Sequence, residues 1–169
     1  RHHQLICYTK DMEQIEQPKT IKELKARILR KKIERYWRII FPIFFVIIIW
    51  AFSATSGESS QASSSAFANM FGISNALARK LAHFILFAGL GYSISSFLKG
   101  LNVSQFPTLT TTIYTTVFAV AYAAIDEVHQ LAIAGRNGSV TDVLIDSLAG
   151  FAGVLAYIAI FCYVRRYRF

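Results

Sequence analysis

Four long apolar runs organise the chain. They cover residues 39–57, 81–98, 108–125 and 143–164, and the first of them contains no charged residue. A helix needs about 20 mostly apolar residues to cross the hydrocarbon core of a bilayer. The pattern therefore predicts an all-α, polytopic membrane protein built as a four-transmembrane-helix bundle.

The chain is strongly basic before the first apolar run. Residues 19–38 carry nine lysines and arginines, with apolar residues recurring among them at roughly helical spacing. Such a segment is typical of a helix that lies along anionic headgroups, or of one that only fixes topology. We therefore predict a basic cytoplasmic N-terminal helical segment (1–38), a four-helix transmembrane domain (39–164) and a basic cytoplasmic tail (165–169).

The distribution of lysine and arginine predicts the orientation. With four spans, the basic N-terminal segment, Lys99 and the basic tail all lie on one side of the membrane, and the other side has three basic residues. Cytoplasmic connections carry an excess of lysine and arginine. We therefore expect both termini to be cytoplasmic and the connections 54–79 and 131–141 to face outward.

Composition changes this interpretation little. The chain is 54% hydrophobic with a formal charge of +8. A basic protein can bind nucleic acid, but here most of the basic residues flank apolar runs, which favours contact with membrane lipids. The two cysteines, Cys7 and Cys162, lie far apart in any spanning arrangement, so we expect neither a disulfide nor a cysteine-based zinc site.

Polar residues collect at one end of the predicted bundle. Ionisable groups are costly inside a bilayer, so each of them is a candidate for a functional site. They begin the second helix, end the third, occupy the following turn and begin the fourth: Lys80, His83, Asp126, Glu127, His129, Gln130, Arg136, Asp142 and Asp146. Spacings of three or four residues place members of each group on one helix face.

Structural roles remain open for several of these residues. Ser139 and Asp142 have the spacing of a capping box, so Asp142 is also a candidate helix cap. Arg79 and Lys80 could extend along the membrane to its surface. The whole set could also be an ion-pair network that only orients the helices.

The ligand types in this set allow two kinds of bound group. The histidines and carboxylates suit a metal ion, but there is no HExxH spacing and nearby cations can neutralise the acids, so we predict no metal site and cannot name a cofactor. Lys80 and Arg136 suit an anion. Since carboxylates lie beside them, we expect a pocket for a polar headgroup that carries both signs of charge.

The polar residues fall into three motifs, which read Lys80-Leu-Ala-His83-Phe84, Asp126-Glu127-Val-His129-Gln130 and Gly135-Arg136-Asn-Gly-Ser-Val-Thr-Asp142-Val-Leu-Ile-Asp146-Ser-Leu-Ala-Gly150. Together they resemble the VanZ-like family, whose pattern is approximately K-x-x-H-F, D-E-x-x-Q and G-R-x-G-x-x-x-D-x-x-x-N-x-x-G. The similarity covers about residues 39–164, and Ser56-Gly57 in the first outer connection is similar as well.

Two residues depart from the family's pattern. Asp146 stands where the family usually has Asn, and Phe87 stands near a position where Tyr is common. The first change adds a possible charge and the second removes a hydroxyl. The resemblance implies that the remaining signature polar positions are those of the family: Lys80, His83, Asp126, Glu127, Gln130, Arg136 and Asp142.

The resemblance implies a multi-pass protein of the bacterial cell membrane. The family's founding member is linked to resistance to the glycopeptide teicoplanin. We therefore expect an outward-facing pocket that binds or modulates an outer-leaflet amphiphile, either a lipid-linked cell-envelope precursor or a lipoglycopeptide antibiotic.

An intramembrane enzyme is the alternative, and the sequence does not decide between the two. Such a hydrolase or transferase would act on a lipid-linked envelope substrate. Glu127 or Asp126 would serve as general base and His83 or His129 as acid or base, while Lys80 and Arg136 would hold a phosphate.

Overall fold

The computed structural model describes residues 20–55, 65, 68–101, 108–133, 135–136 and 138–167, with side chains up to residue 164. Its long helices in these ranges are α1 (Ile21–Ser53), α2 (Asn75–Gly100), α3 (Thr108–Leu131) and α4 (Val140–Tyr167). All four are long and apolar enough to cross a membrane. The predicted all-α membrane bundle is confirmed.

Some sequence predictions concern residues outside the described ranges. They involve Cys7, the Ser56-Gly57 stretch and the side chains of the tail 165–169. Residues Arg1–Tyr36 and Trp37–Phe169 form two separate compact units. In the first unit the described residues 21–36 are helical and exposed, and their contact with headgroups stays a prediction.

The helices extend beyond the apolar runs that predicted them. Helix α2 begins at Asn75 because Ser74 caps it: the Ser74 Oγ accepts the Leu77 N–H at 3.3 Å. Helix α3 continues to Leu131, so Asp126 lies inside it rather than after its end. An apolar run marks the part of a helix that lies in the hydrocarbon core of the bilayer. The helix itself extends as far as backbone hydrogen bonds and capping groups satisfy its ends.

Helices α2 and α4 approach each other through their backbones. A Cβ added to Gly91 would lie 2.0 Å from the carbonyl oxygen of Gly150, and one added to Gly153 would lie 1.9 Å from that of Ala88. A Cβ added to Gly150 would lie 2.6 Å from the Cβ of Ala119 on α3. Small residues let helices pack tightly in lipid, where burial from water gives no driving force. These three helices therefore form the centre of the bundle.

The C-terminal half of α1 packs on this centre through side chains. Ile49 is fully buried in a cluster with Phe87, Leu90 and Tyr122. The Tyr122 hydroxyl also donates to the carbonyl oxygen of Val46 at 2.7 Å. As a result, the end of α1, the start of α2, the end of α3 and the start of α4 meet at one end of the bundle, which we call the polar end.

Candidate functional site

A histidine and two carboxylates lie together at the polar end. The His83 Nδ1 is 3.5 Å from the Asp146 Oδ2 and 4.0 Å from the Asp126 Oδ2. The carboxylates are almost completely buried, with 1% of Asp126 and 4% of Asp146 exposed. Burying an ionised group is costly unless charge and hydrogen bonds compensate it. We call these three residues the acid–histidine triad.

Asp126 joins α1 to α3. Its Oδ2 accepts hydrogen bonds from the Ser53 Oγ and the Gln130 Nε2, both at 2.9 Å. Its Oδ1 is buried and has no hydrogen-bond partner among the described residues. Sequence reasoning missed Ser53, which is fully buried, because it is one of many serines between residues 53 and 65.

Glu127 and Asp142 make contacts that the capping-box pattern did not predict. The Asp142 carboxylate pairs with the Lys80 ammonium at 2.5 Å, so the interpretation of Asp142 mainly as a helix cap is wrong. Glu127 instead accepts the backbone N–H of Ser139, whose carbonyl accepts the N–H groups of Asp142 and Val143 in the first turn of α4. A carboxylate at this position also suits the positive end of the helix dipole.

Arg136 extends from the turn between α3 and α4 to the end of α1. Its Nη2 donates to the Phe52 carbonyl at 3.2 Å and to the Thr55 hydroxyl at 3.4 Å. Gly135 makes this possible because its φ of 76° is in the left-handed region. Burial lowers the pKa of the Arg136 guanidinium, and the nearby charge of Arg79 lowers it further.

His129 does not join the triad. Its ring stacks on Trp50 of α1, with ring centroids 3.8 Å apart and an interplanar angle of 19°. Of the two histidines that sequence reasoning considered for proton transfer, only His83 lies beside carboxylates. The contact of His129 with Trp50 gave no signal in the sequence, because the two rings belong to distant parts of the chain.

A cavity of about 710 Å³ opens beside these groups. Along α2 its wall runs from Ala76 to Leu86, about 15 Å at the rise of an α-helix. Its polar wall includes Thr55, Arg79, Lys80, His83, Gln130, Arg136, Asp142 and Asp146. Its apolar wall includes Ile48, Phe52, Leu81, Ile85, Leu86 and Ile145. A cavity of this size and mixed lining accommodates a small amphiphilic molecule.

A family model decides how to classify this arrangement. The model described as VanZ/LLP1 matches residues 37–162, a range that includes the triad and every residue that lines the cavity. The chain belongs to the VanZ/LLP1 family. Neither a curated protein nor a solved structure matches the chain. The structure of this VanZ/LLP1 protein also places Asp146 and Phe87, the two residues that depart from the VanZ-like pattern.

Both departures lie at the triad. Asp146 places a second carboxylate beside His83, where Asn would leave one. Phe87 is fully buried, and its ring centroid lies 6.3 Å from that of His83 and 6.0 Å from that of Tyr122. The triad of this VanZ/LLP1 protein therefore has one more carboxylate than the VanZ-like pattern provides, and the apolar ring of Phe87 lies beside it.

Proposed function

We propose that this VanZ/LLP1 protein binds or modulates an outer-leaflet amphiphile, with the headgroup at the polar end and the tail along the apolar wall. The amphiphile is a lipid-linked cell-envelope precursor or a lipoglycopeptide antibiotic, and its binding contributes to glycopeptide (teicoplanin) resistance. The cavity carries the proposal, because charged and apolar surfaces line the same 710 Å³ space.

Three cations favour an anionic headgroup. Arg79, Lys80 and Arg136 all line the cavity. The positive charges of Arg79 and Arg136 are close enough to repel each other, which contributes to the lowered pKa of Arg136. A phosphate or carboxylate between them would relieve this repulsion and form charge-assisted hydrogen bonds. Asp142 and Asp146 on the same wall suit hydroxyl or amine donors of the headgroup.

The apolar wall favours a ligand that stays in the membrane. Leu81 and Ile85 line the cavity, yet 41% and 64% of their surfaces remain exposed. On a helix that crosses a bilayer, such residues face lipid chains. A tail could therefore enter from the side while the headgroup reaches the polar end.

A charge-neutral substitution on α2 tests this binding. We expect Lys80→Gln to weaken binding of an anionic lipid-linked precursor to the purified protein by about tenfold, or 1.4 kcal/mol. The ion pair with Asp142 is partly exposed and contributes at most about 1 kcal/mol to stability. The loss would therefore reflect binding. Native mass spectrometry or calorimetry measures it.

The matched control is Lys99→Gln, the same change at the other end of the same helix. Lys99 lies over the Phe161 ring at 5.2 Å and does not line the cavity. We expect its binding to equal that of the unchanged protein. Equal affinities for the Lys80 and Lys99 variants would refute a headgroup site at Lys80. Teicoplanin susceptibility of cells that express each variant then distinguishes a precursor from the antibiotic as ligand.

We also infer that the polar end faces outward and that both termini are cytoplasmic. Nine basic residues in 19–38 and Lys99 on the same side support this orientation. Green fluorescent protein fused after Phe169 is expected to fluoresce, and alkaline phosphatase fused there is expected to be inactive. An active phosphatase fusion would reverse the orientation and place the cavity in the inner leaflet.

An intramembrane hydrolase or transferase is the second candidate. The pairing of His83 with Asp146 on the cavity wall favours it, because an imidazole held by a carboxylate can transfer protons. Glu127 is less suited as the base, since it holds the Ser139 N–H. Turnover of a lipid-linked precursor by purified protein, lost in His83→Gln with binding retained, would establish catalysis. Binding without turnover would exclude it for that substrate.

A further inference from the structure

We propose that the acid–histidine triad binds one divalent transition-metal ion, such as Zn²⁺ or Mn²⁺. The ligands are the His83 imidazole, the Asp146 carboxylate and the Asp126 carboxylate. This site goes beyond the proposed amphiphile binding and does not rest on it. It also replaces the expectation from the sequence, which found no metal motif because the three residues belong to three different helices.

The spacing of the triad fits such an ion. One ligand atom from each residue lies within 4.8 Å of the other two, and the two distances from the His83 Nδ1 are 3.5 and 4.0 Å. A tetrahedral ion with bonds of 2.0–2.2 Å holds its ligand atoms roughly 3.4 Å apart. Side-chain shifts of up to about one ångström would therefore bring the three ligand atoms to the spacing that such an ion requires.

An unpartnered atom at the triad is a second, independent observation. Asp126 is 1% exposed, and its Oδ1 has no hydrogen-bond partner in the part of the chain that the structure describes. A buried acceptor without a partner is costly. Ser53 and Gln130 donate to the other oxygen, Oδ2, which is also the Asp126 atom that lies 4.0 Å from the His83 Nδ1, and they fix the orientation of the carboxylate. Outer hydrogen bonds of this kind orient the ligands of metal sites.

The balance of charge also calls for a cation. Three carboxylates are buried at the polar end, namely Asp126, Glu127 and Asp146. Arg136 acts on two of them electrostatically, while Lys80 is paired with Asp142. With His83 neutral, as a metal ligand must be, the three cations Arg79, Lys80 and Arg136 leave these three carboxylates and Asp142 one positive charge short. A divalent ion supplies it at the point where two of the carboxylates meet.

The ligand types indicate which ions to expect. One imidazole nitrogen with carboxylate oxygens suits zinc or manganese, whereas calcium and magnesium prefer oxygen ligands throughout. His83 and Asp146 also line the cavity, so the ion would lie at its wall. A bound ion would occupy the lone pair of the His83 nitrogen. Metal binding and proton transfer by that nitrogen therefore exclude each other.

Metal content of the full chain tests the proposal without any lipid. The adjacent His2 and His3 could bind metal by themselves, so the protein carries His2→Gln and His3→Gln and no histidine tag. After loading with Zn²⁺ or Mn²⁺ and removal of the excess, we expect about one ion per chain. The ion should raise the Tm by several degrees, since it binds only the folded state. Substoichiometric metal with an unchanged Tm would overturn the proposal.

Variants in the same background locate the ion. Asp146→Asn creates the residue of the VanZ-like pattern and is therefore expected to fold, while binding metal at least about tenfold more weakly. His129→Gln, outside the triad, is the control and should bind one ion. Unchanged metal binding by Asp146→Asn and His83→Ala would place the ion elsewhere. Pulsed EPR of the Mn²⁺-loaded protein that carries only His2→Gln and His3→Gln tests the site without any triad variant. A spectrum without coupling between Mn²⁺ and an imidazole nitrogen would also overturn the proposal.

Discussion

Gly153→Ala is expected to destabilise the folded protein severely. The added Cβ would lie 1.9 Å from the carbonyl oxygen of Ala88 and 2.9 Å from the backbone nitrogen of Tyr92. Both atoms belong to the backbone of α2, so no side chain can rotate away and the two helices must separate. We expect a loss of about 3 kcal/mol and a fall in Tm of about 10 °C. Thermal unfolding in detergent measures both.

Gly89→Ala is the matched control for this prediction. Its Cβ would approach as close as 2.4 Å, but only to ring atoms of Phe45, which can rotate. A helix also gains up to about 1 kcal/mol when alanine replaces glycine. We therefore expect a Tm within a few degrees of the unchanged protein. Similar Tm values for the two variants would mean that α2 and α4 are not packed backbone to backbone.

Asp126→Ala is the second substitution with a large expected effect. It removes the acceptor of the Ser53 hydroxyl and the Gln130 amide, both at a buried point between α1 and α3. Unsatisfied buried donors cost about 1–3 kcal/mol each. Loss of a buried negative charge offsets part of this, so we expect a net loss of about 2 kcal/mol, measured by thermal unfolding.

Asp126→Asn separates hydrogen bonding from charge. It keeps one oxygen that can accept from Ser53 or Gln130, so we expect it to be more stable than Asp126→Ala. The control Asp142→Ala breaks a partly exposed ion pair, which contributes at most about 1 kcal/mol. If Asp126→Ala were as stable as Asp142→Ala, Asp126 would not join the helices as described.

Features encoded locally were predictable from the sequence. Each span follows from a long, mostly apolar run, and the VanZ/LLP1 match agrees with the motifs. The spacing of Lys80 and His83 placed both on one face of α2, and both line the cavity. These predictions needed only the period of a helix and the alternating direction of successive spans.

Contacts between helices were not predictable in the same way. Ser53 reaches Asp126 across 73 positions of the chain, and nothing in the first apolar run distinguishes it from neighbouring serines. The local pattern made Asp142 a candidate cap of α4, but the Asp142 carboxylate pairs with Lys80, and Glu127 accepts the Ser139 N–H. In both cases a partner on another helix decided the outcome.

An experimental structure of the protein in lipid, with the anionic lipid-linked precursor present, tests whether the headgroup binds at the polar end. We expect headgroup density within about 4 Å of the Lys80 ammonium or the Arg136 guanidinium. Density for the tail should follow Ile48, Leu81 and Ile85 along the cavity wall. Headgroup density at the opposite end of α2, beside Lys99, with none at Lys80 and Arg136 would contradict it.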